Sequence, residues 1–281
     1  KDKTKNMNNL EAYKMDGLGN DFIIFDKRKK LIGLTKEQII KISDRNNVGC
    51  DQVIFIERDE TNDASLKFYN SDGSETSACG NGSRCVAYFL MKETSKKKVS
   101  LKTKTGILYS NLASENSVKI NIGQPNFKWN EIPLSKEMDY KNLNIKINSK
   151  DKKEIIGGFS LNVGNPHIIF FVENINDFDL NKIGPEIENH EYFPQKCNVT
   201  IASVKNKNHI KVRVWERGAG LTKACGTAAC ATGVASAVLK LTDKETNIEF
   251  QEGSLNINWY KDNNIYMTGN VSKVEKITVN I

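Results

Sequence analysis

Residues 76–85 read T-S-A-C-G-N-G-S-R-C, and residues 222–230 read T-K-A-C-G-T-A-A-C. Each Ala-Cys-Gly heads a helix-like run, Arg84 to Met91 in one case and Gly226 to Leu239 in the other. The strand-like stretches L-K-F-Y-N (66–70) and V-R-V-W-E (212–216) precede them, and the two cysteines stand 225 − 79 = 146 residues apart. Further upstream, G-N-D-F-I-I-F from Gly19 matches G-N-P-H-I-I-F from Gly164, with the asparagines 165 − 20 = 145 residues apart. Two anchors that keep almost the same period mark a duplicated fold. In each half a strand feeds a loop, the loop presents Cys-Gly and a helix follows, so two equivalent sites are expected to face each other across the interface of the halves.

The rest of the chain agrees with an α+β protein of about two domains. Its 281 residues are 38% hydrophobic, enough for sizeable cores. The opening K-D-K-T-K-N-M-N-N is polar, and no apolar stretch is long enough to span a bilayer, which points to a cytoplasmic protein with no membrane partner. Six cysteines are too few for a disulfide scaffold, and Cys79/Cys85 and Cys225/Cys230 lack zinc-site spacing, so no metal is expected. The net charge of +7 comes from scattered lysines whose only dense runs are 27–30 and 96–98, a solvated surface and not a nucleic-acid site.

Strand patterns appear at 22–25, 53–56, 66–69, 118–122, 168–172 and 210–215. Helices are expected from Thr35, a natural N-cap, to Ser43, and over the two runs behind the cysteines. From Ala224 to Leu239 there is no charge and much Ala, Thr, Ser and Gly, the composition of a helix buried on all sides. The polar stretch 126–153 suggests the junction, with one half covering 1–127 plus about 271–281 and the other 128–270.

A cysteine at a helix start feels the positive end of the macrodipole, which favours thiolate, and one such thiolate acts as a base. The N–H groups of Gly80-Asn81 and Gly226-Thr227 hold a carboxylate or enolate-like oxyanion there, and each glycine lets that anion approach the backbone. A small carboxylic acid held between the two ends has one sulfur on each face of its α-carbon. Proton removal on one face and return on the other inverts the stereocentre. Cys50, Cys85, Cys197 and Cys230 read as packing residues, and Asp72 as turn chemistry.

These motifs resemble the diaminopimelate epimerase family: K-M-D-G-L-G-N-D-F (14–22), G-C-D-Q (49–52), F-Y-N-S-D-G-S-E (68–75), A-C-G-N-G-S-R-C (78–85), G-N-P-H (164–167), Asn198-Val199 and E-R-G-A-G-L-T-K-A-C-G-T (216–227). The resemblance implies two pseudo-symmetric halves, each a mixed β-sheet or barrel wrapped around a central helix, with the last strand returning to the first half and a homodimer as assembly. It implies a cofactor-independent isomerase that interconverts LL- and meso-diaminopimelate in lysine and peptidoglycan precursor synthesis. Cys79 is then the proton donor and Cys225 the acceptor, with His167 and Glu216 tuning them. Asn20, Gln52, Asn70, Gly80, Asn81, Asn165, Asn198, Glu216, Arg217, Gly226 and Thr227 contact the substrate. A zwitterionic diamino diacid calls for such a set: amides, one guanidinium fork for a distal carboxylate and one carboxylate for an ammonium.

The chain departs from the family pattern at Gln195-Lys196-Cys197 and at Ala228. Relatives of the proline racemase and hydroxyproline epimerase type share the two-cysteine chemistry and are the alternative within the fold. A pyridoxal-phosphate racemase is the alternative outside it, and no phosphate-cradling loop beside a unique lysine supports it.

Overall fold

The structure, a computed structural model, describes residues 9–77 and 79–281; residues 1–8 of the polar N-terminus and Ala78 of the first cysteine motif lie outside the described residues. The chain divides into two compact units, Lys1–Ile120 with Gly269–Ile281, and Asn121–Thr268.

In the first unit β1 (Asn9–Gly17) and β2 (Asn20–Asp26) pair antiparallel, and α1 (Lys36–Ser43) carries the chain to β3 (Gln52–Glu57), parallel to β2. Strand β4 (Ala64–Asn70) lies antiparallel to β3, with the short β5 (Glu75–Thr76) on it. Helix α2 (Gly80–Thr94) then crosses to β6 (Lys98–Thr103), parallel to β4; β7 (Gly106–Ser114) pairs with β6, and β8 (Ser117–Gly123) follows.

The second unit opens with a separate hairpin, β9 (Ile145–Asn148) and β10 (Glu154–Gly157). The first unit's order then recurs: β11 (Phe159–Asn162) antiparallel to β12 (Pro166–Phe171), α3 (Leu180–Glu188), and β13 (Asn198–Asn206) parallel to β12. Strands β14 (His209–Glu216) and β15 (Gly220–Thr222) follow antiparallel, and α4 (Gly226–Val238) crosses to β16 (Glu245–Phe250), parallel to β14. Strands β17 (Gly253–Trp259) and β18 (Ile265–Asn270) complete this sheet by antiparallel pairing. The fold is α+β in two pseudo-symmetric halves. Strand β19 (Glu275–Asn280) returns to the first unit and pairs antiparallel with β1, from Asn9↔Asn280 to Lys14↔Glu275.

Each sheet wraps a central helix. Every residue of α2 from Asn81 to Met91 is buried, as is α4 from Ala228 to Ser236, as its uncharged composition predicts. Small residues permit that closeness. A Cβ on Gly82 would stand 2.9 Å from Ile54, 3.0 Å from Phe68 and 3.1 Å from Phe22, and one on Gly233 would stand 2.8 Å from Ile257. Arg84 is fully buried in α2, its Nη2 at 3.4 Å from the place of a Cβ on Gly17.

Helix α1 starts as read from the sequence. Thr35 Oγ1 accepts from the N–H of Gln38 at 3.2 Å, and Gln38 Oε1 accepts from the N–H of Thr35 at 2.8 Å, a reciprocal cap. The polar stretch 126–153 contributes Ile132, Leu134, Leu143, Ile145 and Ile147 to a core shared with Ile168, Phe170, Ile183, Ile187, Val199 and Ile201. Among the described residues no helix is long and apolar enough to cross a membrane.

Candidate active site

The repeated elements bring the expected residues to matching places in each unit. In the first, Asn20 begins β2, Gln52 begins β3, Asn70 ends β4 and Cys79 is the N-cap of α2. In the second, Asn165 immediately precedes β12, Asn198 begins β13, Glu216 ends β14 and Cys225 is the N-cap of α4. Both cysteines adopt extended backbone, with φ −103° at Cys79 and −143° at Cys225, so each helix begins at the following glycine. The N–H groups of the first helical turn have no carbonyl of their own helix to bond.

In the first unit the half-buried Cys79 donates its S–H to Asn20 Oδ1 at 3.4 Å, and Asn81 Nδ2 donates to the same oxygen at 3.4 Å. The Asn20 amide is oriented from behind: its Nδ2 donates to Asp51 Oδ2 at 2.8 Å, and a carboxylate accepts only from the nitrogen end. Asp51 is in turn held by Arg45 Nη2 at 2.8 Å, while the same guanidinium grips both oxygens of Asp21. Arg45 draws the Asp21 carboxyl below its usual range against the opposing effect of burial, the larger single influence. Gln52 Nε2 donates to Asn70 Oδ1 at 3.1 Å. The buried acceptors Gln52 Oε1 and Asn81 Oδ1 have no partner among the described residues. Asp72 accepts from the N–H of Ser74 at 2.9 Å, the turn role read for it.

The second unit presents the opposite polarity at its sulfur. Cys225, 6% exposed, accepts the N–H of Ala228 at 3.4 Å and lies 3.5 Å from Thr227 Oγ1. Asn165 Nδ2 donates to Thr227 Oγ1 at 3.2 Å, and His167 Nε2 lies 2.7 Å from Asn165 Oδ1 and 3.1 Å from Thr227 Oγ1. His167 is fully buried, and burial pushes its pKa down to about 3, with the charge of Arg217 adding to the effect. The ring is therefore neutral. Its Nδ1 has no partner among the described residues, and an orphaned lone pair costs less than an orphaned N–H, which puts the proton on Nε2. The relay then runs from His167 Nε2–H to Asn165 Oδ1 and from Asn165 Nδ2–H to Thr227 Oγ1, the atom that stands beside Cys225 Sγ.

Asn198 Oδ1 accepts the N–H of Arg217 at 2.8 Å and its Nδ2 donates to the carbonyl of Pro166 at 3.1 Å. The exposed Arg217 donates from Nη1 to the carbonyl of Gln195 at 3.2 Å, and Glu216 is half-buried. The four remaining cysteines are buried; burial raises Cys85 to about 12 and Cys50 to about 11, and pushes Cys197 up as well. Among the described residues no group of three or more His, Cys, Asp or Glu side chains gathers to hold a metal ion. Sequence reading missed Asp51 and Arg45. Their only signal is Asp51 inside G-C-D-Q, and the contact to Asn20 spans 31 residues of chain.

A family model described as Diaminopimelate epimerase matches residues 12–128 and 159–274. The chain is 54% identical over 272 residues to a protein named Diaminopimelate epimerase from Pelagibacter ubique (strain HTCC1062), covering 97% of this chain and 99% of that one. It is 42% identical over 270 residues to one of the same name from Caulobacter sp. (strain K31), covering 92% and 93%. Among solved structures, a phenazine biosynthesis protein of the PhzF family from Bacillus anthracis matches with a TM-score of 0.66 at 20% identity, covering 98% of this chain and 100% of that one. A hydroxyproline epimerase from Agrobacterium vitis with bound trans-4-hydroxy-L-proline matches with a TM-score of 0.61 at 12% identity, covering 98% and 93%. At these identities the solved structures share the fold.

Proposed function

Because the chain belongs to the diaminopimelate epimerase family, a family of isomerases, we propose that it interconverts LL- and meso-diaminopimelate by proton transfer between two thiols and one α-carbon. The observation that carries the reading is the opposite hydrogen-bond polarity at two sulfurs that the repeat otherwise makes equivalent. Cys225 Sγ receives a backbone N–H at a helix N-terminus and stands beside the Thr227 hydroxyl, both of which stabilise a thiolate. Cys79 faces an acceptor, Asn20 Oδ1, whose orientation Asp51 enforces, and an acceptor stabilises the protonated thiol.

In the LL to meso direction Cys225 thiolate takes the α-proton and Cys79 thiol returns one to the opposite face of the planar carbanion. The reverse reaction starts from the exchanged protonation states. Carbanion charge spreads into the α-carboxylate, and the N–H groups of Gly80, Asn81, Gly226 and Thr227 stabilise it there. Neutral His167 holds Asn165 and, through it, Thr227 and the Cys225 end of the site. Glu216 pairs with a substrate ammonium, and Gln52 Oε1 and Asn81 Oδ1 are further acceptors for N–H donors. Arg217 takes the distal carboxylate as a fork. The product serves lysine and peptidoglycan precursor synthesis.

The test is proton exchange in heavy water. Reduced protein with LL-diaminopimelate and no added cofactor is expected to lose the α-proton signal as meso isomer appears. Cys79→Ala and Cys225→Ala should each abolish epimerisation, and full turnover by either variant would remove the two-thiol mechanism. Exchange with proline but none with diaminopimelate would transfer the site to the proline-type reaction.

A further inference from the structure

Glu188, the last residue of α3, is only 7% exposed, and its buried carboxylate serves two donors. Oε1 accepts from the indole Nε1 of Trp215 at 2.9 Å, and Oε2 accepts from the backbone N–H of Gly218 at 2.8 Å. Those donors flank Glu216 and Arg217. The N–H between them, that of Arg217, goes to Asn198 Oδ1 at 2.8 Å, so the turn is tied to α3 and to the start of β13. Gly218 sits at φ 75°, a left-handed conformation that glycine adopts without strain and that aims its N–H at Glu188. Helix α3 approaches this closely because Gly184 has no side chain, and a Cβ there would run into the Trp215 indole.

The internal repeat supplies a control. Helices α1 and α3 hold the same place in the two orders and end at Ser43 and Glu188, so the matching position is Ser43, a buried residue with a hydroxyl and no charge. The first unit's turn instead holds itself, through Asp72 and Ser74. A buried carboxylate is costly unless fully hydrogen-bonded, and among the described residues the one that is buried lies in the half whose turn bears an acid and a guanidinium.

We infer that Glu188 is the positioning residue of the 216–218 turn, setting the carboxylate of Glu216 and the fork of Arg217 at the spacing a diamino diacid requires. This rests on the reading above that Glu216 and Arg217 bind the substrate. Gln at 188 keeps the size and one acceptor but turns an amide N–H2 toward the second donor, which breaks the two-point hold.

Steady-state kinetics on LL-diaminopimelate test it with Glu188→Gln, Arg217→Lys and the double variant. Glu188→Gln is expected to raise KM about tenfold or more while kcat changes less than about threefold, and to add less than about threefold in the Arg217→Lys background, because both act through one contact. A KM unchanged in Glu188→Gln while Arg217→Lys raises it overturns the positioning role. A KM unchanged in Arg217→Lys instead overturns the binding assignment beneath it. A full additional factor in the double variant also overturns the inference, since that is what a merely structural residue gives. Should Glu188→Gln fail to fold, Trp215→Phe removes one donor and keeps the ring. An unchanged KM in that variant overturns the proposal.

Discussion

Acid should destabilise the second unit through His167 specifically. Folded, this ring stays neutral down to about pH 3; released into water it titrates at the ordinary histidine pKa of 6.5. Below pH 6.5 the unfolded chain binds a proton that the folded one refuses, so stability is full above 6.5 and falls as pH drops toward 3. The slope is about 1.4 kcal/mol per pH unit, so moving from pH 7.5 to 5 removes about 2 kcal/mol through this one group. The assay is urea unfolding followed by tryptophan fluorescence, because Trp129, Trp215 and Trp259 all lie in Asn121–Thr268. With a slope of about 3 kcal/mol per molar urea, the midpoint should fall by about 0.7 M. His167→Phe borrows the first unit's solution: Phe22 pairs with Gln52 as His167 pairs with Asn198. That variant leaves Asn165 without the ring N–H and starts less stable, but its midpoint should lose most of its pH dependence over this range. An equal fall in protein and variant would refute the argument.

Gly233→Ala opposes two effects in α4: about 1 kcal/mol of helix propensity gained against a Cβ 2.8 Å from the stiff, fully buried Ile257. Overpacking of about 1–3 kcal/mol wins, and the same fluorescence titration should show a net loss. Diamide should silence the enzyme by oxidising the Cys79 and Cys225 thiols to one disulfide as the diazene is reduced to hydrazine, with activity restored by dithiothreitol. Activity indifferent to diamide would count against the pairing of the two thiols.

The parts of the fold legible in the sequence are those whose cause is local. Thr35 and Gln38 stand in the i, i+3 relation of a cap, and the uncharged run through Ala224 to Leu239 announces a helix with no wet face. The period shared by Asn20/Asn165 and Cys79/Cys225 puts matching residues at matching strand and helix ends. Helix α2 begins at Gly80, earlier than the pattern from Arg84 suggests, because Gly82 is selected for the space under Ile54, Phe68 and Phe22 and not for propensity. Helix α3 escapes reading altogether: Gly184-Pro185 is written like a break, yet Trp215 needs the glycine and the helix accommodates the proline. The Asp51 and Glu188 contacts are equally silent, since each joins residues about 30 apart whose meeting only the sheet decides.

The return of β19 to β1 has a consequence for synthesis. The second unit is one uninterrupted stretch and has all its strands once Asn270 leaves the ribosome, whereas Lys14 waits 275 − 14 = 261 residues for Glu275. Until then β1 presents an unpaired edge, and pairing with a neighbouring nascent chain competes with the proper strand. Closing so long a loop adds little to the equilibrium cost but much to the delay. The half of the protein made first is thus the half finished last, and the interval in which it needs protection is set by the speed of translation.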